Sequence, residues 1–100
     1  MNKKLKTPEM EQLFTAILSL QTVEECSAFF DDLCTIKELL AFSQRFEVAQ
    51  MLKGSKTYQE IAEKTSASTV TISRVNRCLN YGSDGYNLVL SRLAEQEGEA

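Results

Sequence analysis

The sequence repeatedly signals the start of an α-helix. Thr7 is followed by Pro8 and Glu9, the order of an N-cap, a proline at the first helical position and an acid in the first turn. Three further threonines each have a glutamate three residues later, the spacing of a capping box, and these pairs are Thr22 with Glu25, Thr35 with Glu38, and Thr57 with Glu60. Four helices are therefore expected to begin just after residues 7, 22, 35 and 57.

The apolar residues behind these starts recur at helical spacing. In the first segment Met10, Leu13, Phe14, Ile17 and Leu18 fall at i, i+3, i+4, i+7 and i+8, which places them on one helical face. The second helix is predicted over about 23–33 and the third over 36 to about 53, where Gly54 suits the C-terminal cap. The third helix has apolar residues on more than one side, which predicts a central position or an interface with a second chain.

The rest of the chain predicts no β-sheet. No segment keeps the two-residue alternation of a strand, and the β-branched run 69–72 lies inside a helical pattern. Turn residues at 80–85 separate two further helices, and the last one carries Tyr86, Val89, Leu90 and Leu93 on one face. The sequence predicts an all-α fold of about six helices in one domain, residues 1–100, with a frayed acidic tail at 95–100.

Residue usage excludes several kinds of function. The chain has no histidine, which removes Ser-His-Asp and Cys-His nucleophiles and histidine-ligated metal sites. The three cysteines, Cys26, Cys34 and Cys78, form no CxxC pair, so we expect reduced, buried thiols in a cytoplasmic protein. No apolar run typical of a signal peptide follows the N-terminal lysines, so we expect none, and no apolar run approaches the ~20 residues that cross a bilayer. We expect neither an enzyme nor a metal site nor a membrane segment.

Charge is distributed unevenly along the chain. The net charge is −3, yet residues 53–77 hold five bases and two acids, whereas residues 9–38 hold seven acids and one lysine. A basic island between acidic flanks is typical of a small site for a polyanion. A solvated helical face could show a difference of this size by chance.

Residues 57–79 have the plan of a helix-turn-helix. A short helix is followed by a tight turn at Ser66 and Ala67 and by a second helix capped by Ser68. The side chains available for packing between the two helices are small or apolar, namely Ile61, Ala62, Ala67, Ile72 and Val75. The other face of the second helix carries Thr69, Val70, Ser73, Arg74 and Arg77.

That second face suits double-stranded DNA. Short hydroxyls, one methyl-rich side chain and two arginines can contact base edges, thymine methyls and phosphates in a major groove. Two alternatives remain open, a helical hairpin with merely solvated arginines and a protein–protein interaction module that uses the same helix face. Binding to DNA should weaken steeply with salt and be lost on Arg77→Ala, whereas an apolar protein interface should respond far less.

Two stretches of the sequence resemble known proteins. Residues 61–64 and 68–75 look like the helix-turn-helix of bacterial repressors. The longer run from Thr35 through 43–54 and across the motif to Gly82 resembles the Trp repressor superfamily, most closely its YerC/YecD-like branch. This resemblance implies an intertwined all-helical homodimer that regulates transcription, as a repressor by analogy, with two helix-turn-helix heads in successive major grooves.

The resemblance also implies roles for individual residues. Gln59, Thr69, Val70 and Ser73 match positions that approach bases, and Thr71 matches a phosphate contact. Solvation or local capping is an equally open interpretation for Gln59 and Thr71. Electrostatic attraction to phosphates could be added by Lys53, Lys56, Lys64 and Arg77.

The effector site departs from the family pattern. Tryptophan-binding members sandwich the indole between two arginines, and the residue after the second arginine is glycine. Arg74 matches the second arginine, but Val75 follows it, and a branched side chain would occupy the space of the ring. Alignment from Gly54 puts Gln44 at the first arginine, with Arg45 beside it. Arg45 and Arg74 are thus the candidate effector residues, tryptophan is disfavoured, and another effector or none remains open.

Ser66 stands where helix-turn-helix turns commonly have glycine. That position usually needs a positive φ, which a serine adopts only at some cost. We therefore predict a left-handed Ser66 and a slight gain in stability on Ser66→Gly.

Overall fold

The structure, a computed structural model, describes residues 1–99 and is helical throughout its regular elements. A short 3₁₀ helix spans Lys3–Leu5, and no β-strand occurs within the described residues. The six α-helices are α1 (Pro8–Leu18), α2 (Val23–Leu33), α3 (Ile36–Lys53), α4 (Tyr58–Thr65), α5 (Thr69–Tyr81) and α6 (Gly85–Glu99). The predicted all-α class is confirmed.

Helix boundaries follow the local sequence signals closely. The hydroxyl of Thr7 accepts the N–H of Met10 at 3.1 Å, and α2 and α3 have the predicted bounds. Two ends differ from the prediction. α5 continues to Tyr81, two residues past the expected end of the motif, and α6 is helical through Glu99, so it includes residues 95–99. Fraying of this tail stays a prediction. Ala100, the last residue of the predicted tail, lies outside the described residues.

Two of the three predicted capping boxes form. The N–H of Glu38 donates to the Thr35 hydroxyl at 3.1 Å and the Glu38 carboxylate accepts the N–H of Thr35 at 2.9 Å. Thr57 and Glu60 make the same pair of bonds. The third capping box lacks one of its two bonds, because the Glu25 carboxylate accepts the N–H of Gln21, and not that of Thr22, at 2.9 Å. That N–H lies just before the helix and also lacks an intrahelical acceptor.

The end of α3 is a Schellman motif. The N–H of Lys56 donates to the Met51 carbonyl and the N–H of Ser55 donates to the Leu52 carbonyl, each at 3.1 Å. The left-handed residue is Ser55, with φ 61°, and no glycine among the described residues has a positive φ. Gly54 therefore comes just before the left-handed residue. The left-handed conformation is at Ser55, one position later than if Gly54 itself adopted it.

The chain divides into two compact units, Met1–Leu39 and Leu40–Ala100. The first holds α1, α2 and the start of α3, and none of its residues is buried. The second has a core of six buried residues, namely Val48, Ala49, Ile61, Ala67, Ile72 and Val75. Met51, Leu52, Ala62, Leu79, Tyr86 and Leu90 pack against this core. α3, α4, α5 and α6 thus share one core, which holds the predicted motif.

The expectation of buried cysteines is wrong for this chain. Cys26 and Cys78 are exposed and Cys34 is half-buried, all three as free thiols. Cys26 belongs to the unit that buries no residue, and Cys78 lies on α5 outside the six-residue core. None of the helices in the described part of the chain is long and apolar enough to cross a membrane.

Candidate nucleic-acid interface

The two helices of the motif are positioned by α3. Ile61 on α4 and Ile72 and Val75 on α5 are at most 2% exposed, and they meet Val48 and Ala49 of α3, which are fully buried. Residues at the predicted inner positions are therefore in the core, with Ala62 packed at its margin. Because inner and outer positions alternate with the helical period, burial of this set turns the other side of α5 to solvent.

The turn between the helices has the predicted left-handed residue. Ser66 has φ 60° and ψ 15°, and its N–H donates to the carbonyl of Ala62 at 2.9 Å. The Thr65 hydroxyl donates to the Ile61 carbonyl at 2.7 Å and accepts the N–H of Ala67 at 3.1 Å. These bonds leave only Ser66 and Ala67 between α4 and the N-cap Ser68, so the direction of α5 is set within three residues.

The outward face of α5 is the one predicted from spacing. Thr69, Val70, Ser73, Arg74 and Arg77 are all exposed. Val70 has 78% of its surface accessible, while Ile72, two residues later, has 1%. The face therefore presents hydroxyls, one aliphatic side chain and two guanidinium groups to solvent, as a helix that enters a major groove needs.

Thr71 has a local structural role. It is half-buried, and its N–H donates to the Ser68 hydroxyl at 3.1 Å. The Ser68 hydroxyl in turn donates to the Thr71 hydroxyl at 3.1 Å. The local-capping interpretation of Thr71 is thus seen in the structure, and its contact with a phosphate stays a prediction.

The candidates on and around α4 are exposed but lie near acids. The Gln59 amide donates to the Glu63 carboxylate at 3.4 Å, one turn along the same helix. Lys56 and Lys64 line a surface groove of about 550 Å³ together with Glu47, Glu60 and Glu63. Lys53 is exposed in the last turn of α3. The positive charge around α4 is therefore partly offset, and the acid-free part of the candidate face is on α5.

Glu60 is held in its ionised form by the helix start. The backbone N–H of Thr57, and then the Thr57 hydroxyl, lower the pKa of Glu60 below its usual value. Thr35 does the same to the pKa of Glu38 at the start of α3. Both carboxylates stabilise their helix starts in the charged state, which also suits the positive end of the helix dipole.

The two candidate effector residues line one cavity. Arg45 and Arg74 lie on a cavity of about 180 Å³ with Thr71, Val75, Cys78 and Tyr86. The Arg45 guanidinium also lies over the ring of Phe42, 5.6 Å from its centroid. Gln44, the other residue considered for the first arginine position, instead donates to the Thr65 carbonyl at 3.0 Å. The structure therefore pairs Arg45, and not Gln44, with Arg74.

Two lining residues of this cavity were missed from sequence. Cys78 is four residues after Arg74 on α5, so helical spacing alone would have placed the two on one face. Tyr86 reaches the cavity only because α6 packs back against α5. No local pattern indicates that approach.

A helix-turn-helix mounted on a longer helix, within an all-α chain, defines the class of a small DNA-binding regulator in general. The sequence pattern of the Trp repressor protein family matches residues 8–94. The chain belongs to that family, whose members are regulators rather than enzymes.

Individual relatives cover nearly the whole chain. The uncharacterized protein YerC of Bacillus subtilis (strain 168) is 56% identical over 97 residues, which are 97% of this chain and 93% of YerC. A TrpR-like protein from Eubacterium eligens ATCC 27750 has a crystal structure with a TM-score of 0.90 and 63% identity, covering 93% of this chain and 96% of the other. A proposed Trp repressor from Staphylococcus aureus gives a TM-score of 0.89 at 48% identity, with 92% of each chain covered. The resemblance to the Trp repressor superfamily and its YerC-like branch is confirmed.

Proposed function

We propose that the protein is a cytoplasmic, homodimeric transcriptional repressor that binds a specific double-stranded DNA sequence through α5. The observation that carries the proposal is the division of α5 into two faces. Ile72 and Val75 close the core, and the exposed face holds hydroxyls, a valine and two arginines. Family membership supports a DNA-binding regulator.

The homodimer is supported by the exposed apolar surface of the first unit. Leu18 is 84% exposed, Val23 80% and Ile36 76%, and nothing in residues 1–39 is buried. Burying one such aliphatic side chain stabilises a fold by about 1.5–3 kcal/mol. Obligate homodimers have interfaces as apolar as a domain core. A second copy of the chain would bury these exposed aliphatic side chains. Sedimentation should find a dimer at micromolar concentration and no folded monomer on dilution.

The DNA contacts fall into two chemical groups. Gln59, Thr69, Val70 and Ser73 are proposed to reach base edges, and Arg74 stands beside them on the same face. Phosphate contacts are proposed for Thr71, Lys53, Lys56, Lys64 and Arg77. Each phosphate neutralised adds about −0.9 to the slope of log affinity against log salt concentration.

Tryptophan is not required for this binding. Val75 is 2% exposed and completes the core of the motif, so α5 is held against α3 without a ligand. The cavity beside it, about 180 Å³, is below the ~300 Å³ at which ligand pockets usually begin. Both observations support DNA binding without tryptophan.

The proposal is tested by selecting bound sequences from a random duplex pool, with and without tryptophan. We expect one two-fold-symmetric sequence to be enriched equally in both arms. Arg77→Ala should abolish binding to that sequence at near-physiological salt, and at lower salt, where binding can be measured, the salt slope should be shallower by about 0.9 per half-site. Arg92→Ala, which removes an exposed arginine from α6, is the matched control and should change neither quantity.

Each other outcome has a defined meaning. Enrichment only with tryptophan would overturn the role given to Val75. No enrichment in either arm would mean that an effector other than tryptophan is missing, or would favour the protein-interaction alternative. Equal effects of Arg77→Ala and Arg92→Ala would show that binding responds to total charge and not to the exposed face of α5.

A further inference from the structure

Val70 is an apolar side chain on a polar face. It is the second residue of α5, and its accessible fraction is 78%. Ser73, Arg74 and Arg77 follow it at i+3, i+4 and i+7, so the four side chains form one stripe along the exposed side of the helix. Val70 supplies the only aliphatic side chain of that stripe.

The fold gains little from a valine at this position. Val70 is not part of the six-residue core and is not among the residues packed against it. A β-branched side chain also has a lower helix propensity than alanine, because its χ1 rotamers are restricted in a helix. Neither packing nor helix formation therefore accounts for two exposed methyl groups at the start of α5.

The chemistry of the position fits one feature of DNA. The first residues of a recognition helix are the ones that reach base edges. In the major groove only thymine presents an apolar group, its C5 methyl, and aliphatic side chains contact it. The two arginines farther along the same stripe supply the positive charge that brings this face to a polyanion.

We infer that Val70 is a specificity-determining residue that reads the C5 methyl of a thymine in each half-site. The inference rests on the proposed function and deepens it by naming the base feature that α5 recognises. Val70 makes no hydrogen bond with the base, so its contribution depends on the methyl group alone.

The test uses the duplex sequence selected by the purified full-length protein. Each thymine is replaced in turn by uracil, symmetrically in both half-sites, which removes only the methyl group and keeps base pairing. Loss of one buried methyl corresponds to about a fourfold loss of affinity per half-site, or about 15-fold for the symmetric duplex. We expect one thymine position to show this loss with the unaltered protein.

Val70→Ala tests the same contact from the side of the protein. The variant should bind the thymine duplex more weakly, and uracil at the sensitive position should cost it no further affinity. Ser73→Ala is the matched control on the same stripe, because it removes the contacts of the Ser73 hydroxyl but should retain the full uracil effect. Circular dichroism of Val70→Ala should match the unaltered protein, since the side chain is exposed, and its melting temperature should be equal or slightly higher because alanine has the higher helix propensity.

The outcomes separate this inference from the proposed function. If no duplex sequence is selected, sequence-specific binding fails and the role of Val70 fails with it. If a sequence is selected but no thymine is sensitive to uracil, the inference alone is overturned. It is also overturned if Val70→Ala retains the same uracil effect as Ser73→Ala.

Discussion

The side-chain amide of Gln44 on α3 donates a hydrogen bond to the backbone carbonyl of Thr65 at 3.0 Å, across 21 residues of sequence. Thr65 is the last residue of α4, and the left-handed Ser66 follows it. The bond therefore joins the supporting helix to the point at which the chain turns towards α5. A half-buried carbonyl that loses its donor is costly, so this contact helps to fix the direction of the recognition helix.

Gln44→Met should destabilise the protein. The substitution keeps the length of the side chain but removes the donor to Thr65, and we expect a loss of about 1–2 kcal/mol in the free energy of unfolding. Urea denaturation at a fixed protein concentration measures it. Gln50→Met changes an exposed residue on the same helix and should stay within about 0.5 kcal/mol of the unaltered protein. Equal losses in the two variants would contradict the role of Gln44.

Ser66→Gly should stabilise the protein slightly. A left-handed φ of 60° costs an L-residue about 1–2 kcal/mol, and part of this gain is offset by the larger backbone entropy of glycine in the unfolded chain. The net gain should be about 0.5 kcal/mol, seen as a rise of about 2–4 °C in the melting temperature. Ser66→Ala retains a Cβ and should show no rise. A lower melting temperature for the glycine variant would be inconsistent with strain at this turn.

Gly82→Ala should be poorly tolerated. A Cβ at Gly82 would collide with the carbonyl oxygen of Cys78 and lie 3.0 Å from its Cα, and both are backbone atoms that cannot rotate away. We expect a loss of about 1–3 kcal/mol in the free energy of unfolding. Gly85→Ala is the matched control, since nothing lies within 4 Å of a Cβ there. If both variants unfold at the same denaturant concentration, the close approach at Gly82 does not affect the free energy of unfolding.

Glu60→Gln should destabilise the protein at neutral pH but not in strong acid. Thr57 lowers the pKa of Glu60 in the folded protein, so its ionised form stabilises the fold above the unfolded-state pKa. That contribution disappears as the pH falls through the lowered folded-state pKa. The variant should have a lower urea midpoint than the unaltered protein at pH 7, and the two midpoints should converge at strongly acidic pH. Glu38→Gln should behave alike. A difference that is constant with pH would show that the charge of Glu60 has no part in the cap.

The sequence by itself determined the helices and which face of α5 is exposed. N-caps, capping boxes and the 3.6-residue period act within about four residues, so α2 and α3 could be bounded correctly without knowledge of the fold. The same period separated the exposed face of α5 from Ile72 and Val75. The left-handed Ser66 was also predictable, because it stands where helix-turn-helix turns commonly have glycine, a position that usually needs a positive φ.

Only the tertiary structure decided which side chains meet across elements. The bond from Gln44 to Thr65, the cavity shared by Arg45 and Arg74, and the approach of Tyr86 all depend on where α3 and α6 cross α5. A helical pattern gives the face of a residue but not its partner, so Arg45 and Gln44 could not be told apart as cavity residues from sequence. The exposure of Cys26 and Cys78 has the same origin. Burial depends on whether another element covers the face, and that information lies in packing and not in the period of one helix.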